Sequence, residues 1–110
     1  MTTIFDALTD PTRRHILDLL RVRPRLVGEL TDILELSQPG VSKHLRVLRD
    51  AGLVNVRQDA QRRWYELRPE PLEEVYEWLT PYRNLWNKRF DQLDTLLDEL
   101  KGMEQDDDET

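Results

Sequence analysis

The sequence predicts a mostly α-helical chain with one small β-hairpin. Three observations carry that expectation. Residues 37–54 read Ser37-Gln38-Pro39-Gly40-Val41-Ser42-Lys43-His44-Leu45-Arg46-Val47-Leu48-Arg49-Asp50-Ala51-Gly52-Leu53-Val54, with Val41, Leu45 and Leu48 at helical spacing and a polar, basic opposite side. Two alternating runs follow, Leu53 to Gln58 and Arg63 to Leu67, on either side of the turn Asp59-Ala60-Gln61-Arg62. Beyond them, Leu72, Leu79, Trp86, Leu93 and Leu100 recur at intervals of seven. Helix, turn, helix and hairpin in that order make a winged helix-turn-helix.

Each element has a local reason. Thr3 to Leu8 is expected as a short helix with Ile4, Phe5 and Leu8 on one side. Asp10-Pro11 starts a second helix: Asp10 can accept free N–H groups, and proline fits the first helical position. That helix runs to about Arg21, where Arg23-Pro24-Arg25 breaks it. Leu26 to about Leu34 reads as a third helix, and Glu35-Leu36-Ser37 is a tight connection into the fourth, which Ser37 can cap. Ala51-Gly52 stops the fourth helix. Arg68-Pro69-Glu70-Pro71 ends the hairpin, and a long helix is expected over about 72–101. Val75, Tyr82 and Leu96 add a second row to its heptad seam, and Pro81 is expected to bend or split it. The expected organisation is one domain over residues 1–102 and an acidic, disordered tail over 103–110.

Composition narrows the function. A chain of 110 residues suggests one domain, and a domain of this size often completes its core by dimerising. It has no cysteine, which excludes disulfides, thiolate metal sites and cysteine nucleophiles. No apolar run reaches membrane-spanning length and no signal-peptide pattern is present, so the cytoplasm is the expected compartment and no membrane partner is expected. The net charge of −6 is unevenly distributed. Residues 1–69 carry 12 basic and 9 acidic side chains, whereas residues 70–110 carry 4 and 13. A basic front and an acidic back suit a protein that meets phosphate with one face only.

With these elements in place, the chain resembles the ArsR/SmtB family of bacterial winged-helix repressors. The resemblance rests on Phe5-Asp6-Ala7-Leu8-Thr9-Asp10-Pro11-Thr12-Arg13-Arg14, Val27-Gly28-Glu29-Leu30, Leu36-Ser37-Gln38-Pro39, Val41-Ser42-Lys43-His44-Leu45 and Leu48-Arg49-Asp50-Ala51-Gly52-Leu53-Val54, and covers roughly residues 3–100. It implies a homodimer joined through its first and last helices, bound to a double-stranded DNA operator with two half-sites, and usually repression. Two departures stand out: Gly40 sits where a hydroxyl or methyl side chain is commoner, and the wing lacks its usual turn glycine. Metal-sensing members carry cysteines before the recognition helix or His and Asp ligands on the last helix. Here Glu29-Leu30-Thr31-Asp32-Ile33 has no cysteine, and the only histidines are His15 and His44. The chain therefore resembles the non-metal-sensing branch, with no metal site and no cofactor expected.

The candidate DNA contacts are Ser37, Gln38, Pro39, Gly40, Ser42, Lys43, His44, Arg46, Arg62 and Arg63. Gln38 can pair its amide with adenine, and Ser42 can donate to base or phosphate; Gln38 can instead merely help cap the helix. Lys43 and Arg46 are expected on phosphate, Lys43 being the better placed to reach a base edge. His44 can touch the DNA backbone or pack between helices, and the sequence does not choose. Arg62 and Arg63 can enter a minor groove, hold phosphate, or form a solvated turn. The expected dimer contacts are Ile4, Phe5, Leu79, Tyr82, Trp86, Leu93, Leu96 and Leu100. Tyr76, Trp78, Tyr82, Trp86 and Phe90 could line an effector pocket, but aromatics at helical spacing more often form core or interface; an effector is unknown. Asp94 and Asp98 fit a charged solvent face better than a hard-cation site.

Three function classes compete. A sequence-specific, dimeric DNA-binding repressor leads. A winged-helix module for protein–protein contact is the alternative, but it does not require the array of Lys43, Arg46, Arg62 and Arg63. A small hydrolase has the least support: the chain lacks a Gly-x-Ser-x-Gly elbow, a Gly-rich phosphate loop and a histidine-rich constellation, so no enzyme is expected.

Overall fold

Capping side chains set where the first helices begin. In the computed structural model, which describes the backbone of residues 2–108 and the side chains of residues 2–103, α1 spans Ile4–Leu8. The Thr3 hydroxyl accepts the Asp6 N–H at 3.0 Å and the Asp6 carboxylate accepts the Thr3 N–H at 3.3 Å, a reciprocal capping box. Helix α2 (Pro11–Val22) starts as expected, with Asp10 accepting N–H groups from Thr12 at 2.8 Å and Arg13 at 3.1 Å. Arg13 and Arg14 reach back to the carbonyls of Ala7 (2.8 Å) and Leu8 (2.6 Å), satisfying the open end of α1 and tying the two helices together.

Asp10 couples this junction to pH. The Arg13 N–H it accepts holds its carboxyl below the ordinary value against the opposing effect of partial burial; the Thr12 N–H and the charges of His44 and Arg13 add to the lowering. A carboxyl lowered in the folded state stabilises the fold above its unfolded pKa, and that stability is lost as pH falls through the folded value. Asp10→Ala is therefore expected to cost about 1 kcal/mol at neutral pH and to shrink the acid-side loss of stability. Urea unfolding of both proteins between neutral and acid pH measures this; an unchanged acid limb would assign the pH dependence elsewhere.

Strand β1 (Arg25–Leu26) was not anticipated; these residues read as a helix break and a helix start. They pair with Tyr65 and Trp64, which turns the expected hairpin into a three-stranded antiparallel sheet of order β1-β3-β2. Two residues are too few for alternation to register. Helix α3 (Val27–Leu34) follows directly, and the Glu29 carboxylate accepts the Leu26 N–H at 3.4 Å. Arg23 and Arg25 flank that carboxylate, and the Arg23 hydrogen bond is the main reason its pKa is lowered. Glu35, at φ 56°, closes α3 in the left-handed region. The chain then enters α4 (Gln38–Asp50), whose Ser37 cap accepts the Gly40 N–H at 3.2 Å.

The end of α4 aims the wing. Leu53 N–H reaches the Leu48 carbonyl at 3.0 Å and Gly52 N–H the Arg49 carbonyl at 2.9 Å. These two bonds form a Schellman motif, with Gly52 at φ 80° where a Cβ would be strained. Its accompanying apolar contact is supplied by Leu48 and Leu53, both fully buried. Strands β2 (Val54–Asp59) and β3 (Arg62–Leu67) then pair from Val54–Leu67 to Asp59–Arg62. The connection is two residues, Ala60-Gln61, rather than four, and Ala60 takes the positive φ (55°) without a glycine. The core beneath combines Ala7, Ile16, Leu17, Leu20, Leu30, Val41, Leu45, Leu48, Leu53, Val54 and Tyr65, so every element up to the wing except β1 contributes a buried side chain.

Helix α5 spans Leu72–Asp108. The chain divides into two units between Val75 and Tyr76, so most of α5 stands as a unit of its own. Of the two outcomes expected at Pro81, a bend or a split, the split does not occur: the helix runs on through it. Proline removes one N–H, but at an exposed position water can satisfy the carbonyl left open. The helix also passes its expected end near residue 101, so the expected tail over 103–110 overlaps its last turns. The side chains from Glu104 onward, and Glu109 and Thr110 altogether, lie outside the described residues. On this unit the Trp78 and Tyr82 rings meet at 5.4 Å, and the Arg83 guanidinium sits 4.8 Å from the centre of the Tyr76 ring. Among the described residues no helix is long and apolar enough to cross a membrane.

Candidate nucleic-acid interface

Helix α4 separates its residues by periodicity. Val41, Leu45 and Leu48 point into the core, at 0%, 1% and 0% exposure. Gln38, Pro39, Lys43 and Arg46 are exposed, and Ser42 is half-buried. Ser37 is exposed at the helix start, where its hydroxyl serves as the cap. Gly40 lies inside the first turn, and a Cβ there would stand 3.2 Å from the Ser37 hydroxyl, so the smallest side chain leaves that cap unhindered.

The wing separates its residues by pleat. Arg63, Tyr65 and Leu67 share one face of β3, and Arg62, Trp64 and Glu66 share the other. Arg63 and Tyr65 therefore meet Ser42, Leu45, Arg46 and Arg49 of α4 around a cleft of about 190 Å³. Three expected contacts, Ser42, Arg46 and Arg63, are brought together there. Gln38, Lys43 and Arg62 do not line it. Arg62 lies opposite Asp59 in the strand register. His44 is half-buried, and its charge acts on Asp10 at the start of α2.

Arg49 was missed. Its spacing would have revealed it: residues 42, 46 and 49 follow i, i+4, i+7 and so share one helical face. Arg46, Arg49 and Arg63 have no acidic partner within 4.0 Å among the described residues, whereas Arg13, Arg23, Arg25, Arg57 and Arg68 each have one. A helix with an apolar inner face, an exposed polar start and unpaired cations beside a basic wing can lie in a major groove and hold the flanking backbone.

Known proteins resemble this chain in sequence and fold. Residues 10–56 match the sequence profile described as "Bacterial regulatory protein, arsR family". The transcriptional repressor SdpR of Bacillus subtilis is 32% identical over 84 residues, which span 76% of this chain and 93% of SdpR. The chain belongs to the ArsR family. It is a DNA-binding transcriptional regulator with the winged helix-turn-helix fold, and the family consists of regulators rather than enzymes. The arsenical resistance operon repressor of Staphylococcus aureus is 34% identical over 77 residues, covering 70% of this chain and 74% of that protein. The solved structure of HlyU from Vibrio cholerae matches at a TM-score of 0.59 and 38% identity, covering 72% of this chain and 87% of HlyU. HlyU is named a transcriptional activator.

Proposed function

We propose that this ArsR-family chain acts as a homodimeric repressor that binds an imperfect inverted-repeat operator. The single observation that carries the reading is the exposed start of α4 beside the unpaired Arg46 and Arg63. Two-fold symmetry would set the two α4 helices in successive major grooves, roughly 34 Å apart. In this scheme Gln38 and Ser42 read bases, and Lys43, Arg46, Arg62 and Arg63 hold phosphate. The apolar row on α5, with Ile4 and Phe5 of α1, supplies the contact between copies. The absence of cysteine supports control by something other than a thiolate-bound metal. Repression is favoured over activation by the repressor names of two relatives, one of which is matched over 93% of its length.

Footprinting on the DNA upstream of the protein's own gene tests DNA binding and delivers the operator. Gln38→Ala is then expected to cost about 1–3 kcal/mol on the operator and little on random DNA. Gel-shift titrations with both DNAs decide. Equal losses on the two would show that residue 38 does not read sequence. An unprotected promoter, with a protein partner captured through the same face, would favour a protein–protein module instead.

A further inference from the structure

Three arginines stand on one cleft with no carboxylate to neutralise them among the described residues. Arg46 and Arg49 are i, i+3 neighbours on α4, an arrangement in which like charges destabilise a helix. Arg63 faces them from β3, and its cross-strand neighbour is the uncharged Gln58. None of the three donates a side-chain hydrogen bond or meets a carboxylate among the described residues, although Arg57 on the same wing is held by Glu66 at 2.6 Å. Ser42, Leu45 and Tyr65 line the same cleft, Leu45 and Tyr65 being buried. A volume of about 190 Å³ falls below the roughly 300–1,000 Å³ typical of sites for organic ligands, but it is large enough to admit a tetrahedral anion. A guanidinium matches a phosphate with paired N–H donors.

We propose that Arg46, Arg49 and Arg63 close together on one phosphodiester of the bound DNA, so that the cleft between α4 and the wing is a single shared phosphate site. This rests on the DNA-binding reading above. It adds Arg49 to the contact set and replaces separate phosphate contacts for Arg46 and Arg63 with one. A phosphate clamped between α4 and β3 ties the reading helix and the wing to the same point of the backbone, which fixes the register of both.

The salt dependence of binding distinguishes a shared site from separate ones. Each phosphate neutralised contributes about −0.9 to the slope of log affinity against log salt. Gel shifts of the full chain on operator and random DNA at 50–200 mM salt are measured for the unmutated protein, Arg49→Gln, and the triple variant Arg46→Gln, Arg49→Gln, Arg63→Gln. Arg49→Gln is expected to weaken both DNAs by similar factors. The triple variant is expected to flatten the slope by about 0.9 per protomer, so its affinity falls about threefold less per protomer across that salt range. A flattening near 2.7 per protomer would mean three separate phosphates and overturns the proposal, as does an unchanged slope. Thermal unfolding guards against misfolding: removing unpaired like charges is expected to leave the melting temperature unchanged or raised. A second arm follows the arginine Nε–H signals of the free protein by NMR as inorganic phosphate is added at constant ionic strength. Saturable shifts at Arg46, Arg49 and Arg63 are expected, with those of Arg46 and Arg63 needing more phosphate in Arg49→Gln, and unresponsive signals remove the site. If the unmutated protein binds no DNA, the function proposed above fails too; a saturable phosphate response would then reassign the cleft to a free anion, against the proposal.

Discussion

Leu48→Ala is expected to destabilise the protein by about 3 kcal/mol, within the roughly 2–5 kcal/mol typical of buried leucine truncations. Leu48 is fully buried on the inner face of α4, so the truncation leaves a cavity against neighbours that have little freedom to close it. Its carbonyl also accepts the Leu53 N–H, and its side chain is the apolar partner of Leu53 in the motif that turns α4 into β2. The loss is thus placed at the joint between α4 and the wing. Against a typical domain stability of about 5–15 kcal/mol, a cost of this size removes a large fraction. Urea denaturation followed by circular dichroism measures it, with an unchanged m-value expected. A loss below about 1 kcal/mol would mean that the surrounding side chains collapse into the space, and that the joint is less tightly packed than its burial implies.

The legible parts of the sequence were those with strong local chemistry. Asp10-Pro11 and Ser37-Gln38-Pro39 each carry a cap and an early proline, and α2 and α4 begin there. Ala51-Gly52 marks the end of α4 because only a glycine takes φ 80° at no cost. The stripe Val41, Leu45, Leu48 was visible because helical spacing survives without any tertiary information. What stayed hidden depends on partners distant in sequence. Arg25-Leu26 becomes a strand only because Tyr65 and Trp64 offer it an edge. Ala60 takes a positive φ because the paired strands on both sides hold the turn, so the missing glycine did not prevent a two-residue connection.

The candidate site followed the same division. The polar face of α4 could be read residue by residue, yet Arg62 and Arg63 looked equivalent. The pleat separates them, sending Arg63 to the cleft and Arg62 to the opposite face. Arg49 stands in the last turn of α4, where a basic residue also complements the helix dipole, so its residue type alone does not mark a contact. Its spacing from Ser42 and Arg46 puts the three on one helical face, and the cleft adds that Arg63 of β3 meets them there. His44 lies half-buried on α4, and its neighbours in sequence leave both of its expected roles open.

Trp86→Ala is expected to weaken self-association by about 3 kcal/mol, roughly 150-fold in the dimer dissociation constant, with the ring fully buried between copies. The argument begins with the spacing of the apolar residues. Leu79, Trp86, Leu93 and Leu100 repeat every seven residues on α5, and Tyr82 and Leu96 make the adjoining row. In the single chain, Trp86 is 48% exposed, and Leu93, Leu96 and Leu100 are 49–50% exposed. An apolar row of this length left half open to water is a surface that a second copy can cover. A heptad repeat is also what a helix needs to keep one face towards a partner over several turns. Sedimentation of the unmutated chain at micromolar concentration is expected to give a dimer, and Trp86→Ala a concentration-dependent mixture shifted towards monomer. Because Trp86 is exposed in the single chain, the variant should keep its far-ultraviolet circular dichroism, which separates lost association from lost folding. Operator affinity should fall with the dimer, since two half-sites are then no longer held by one assembly. A monomer for the unmutated chain, or a dimer constant that Trp86→Ala leaves untouched, would take this helix face out of the interface and with it the two-fold operator.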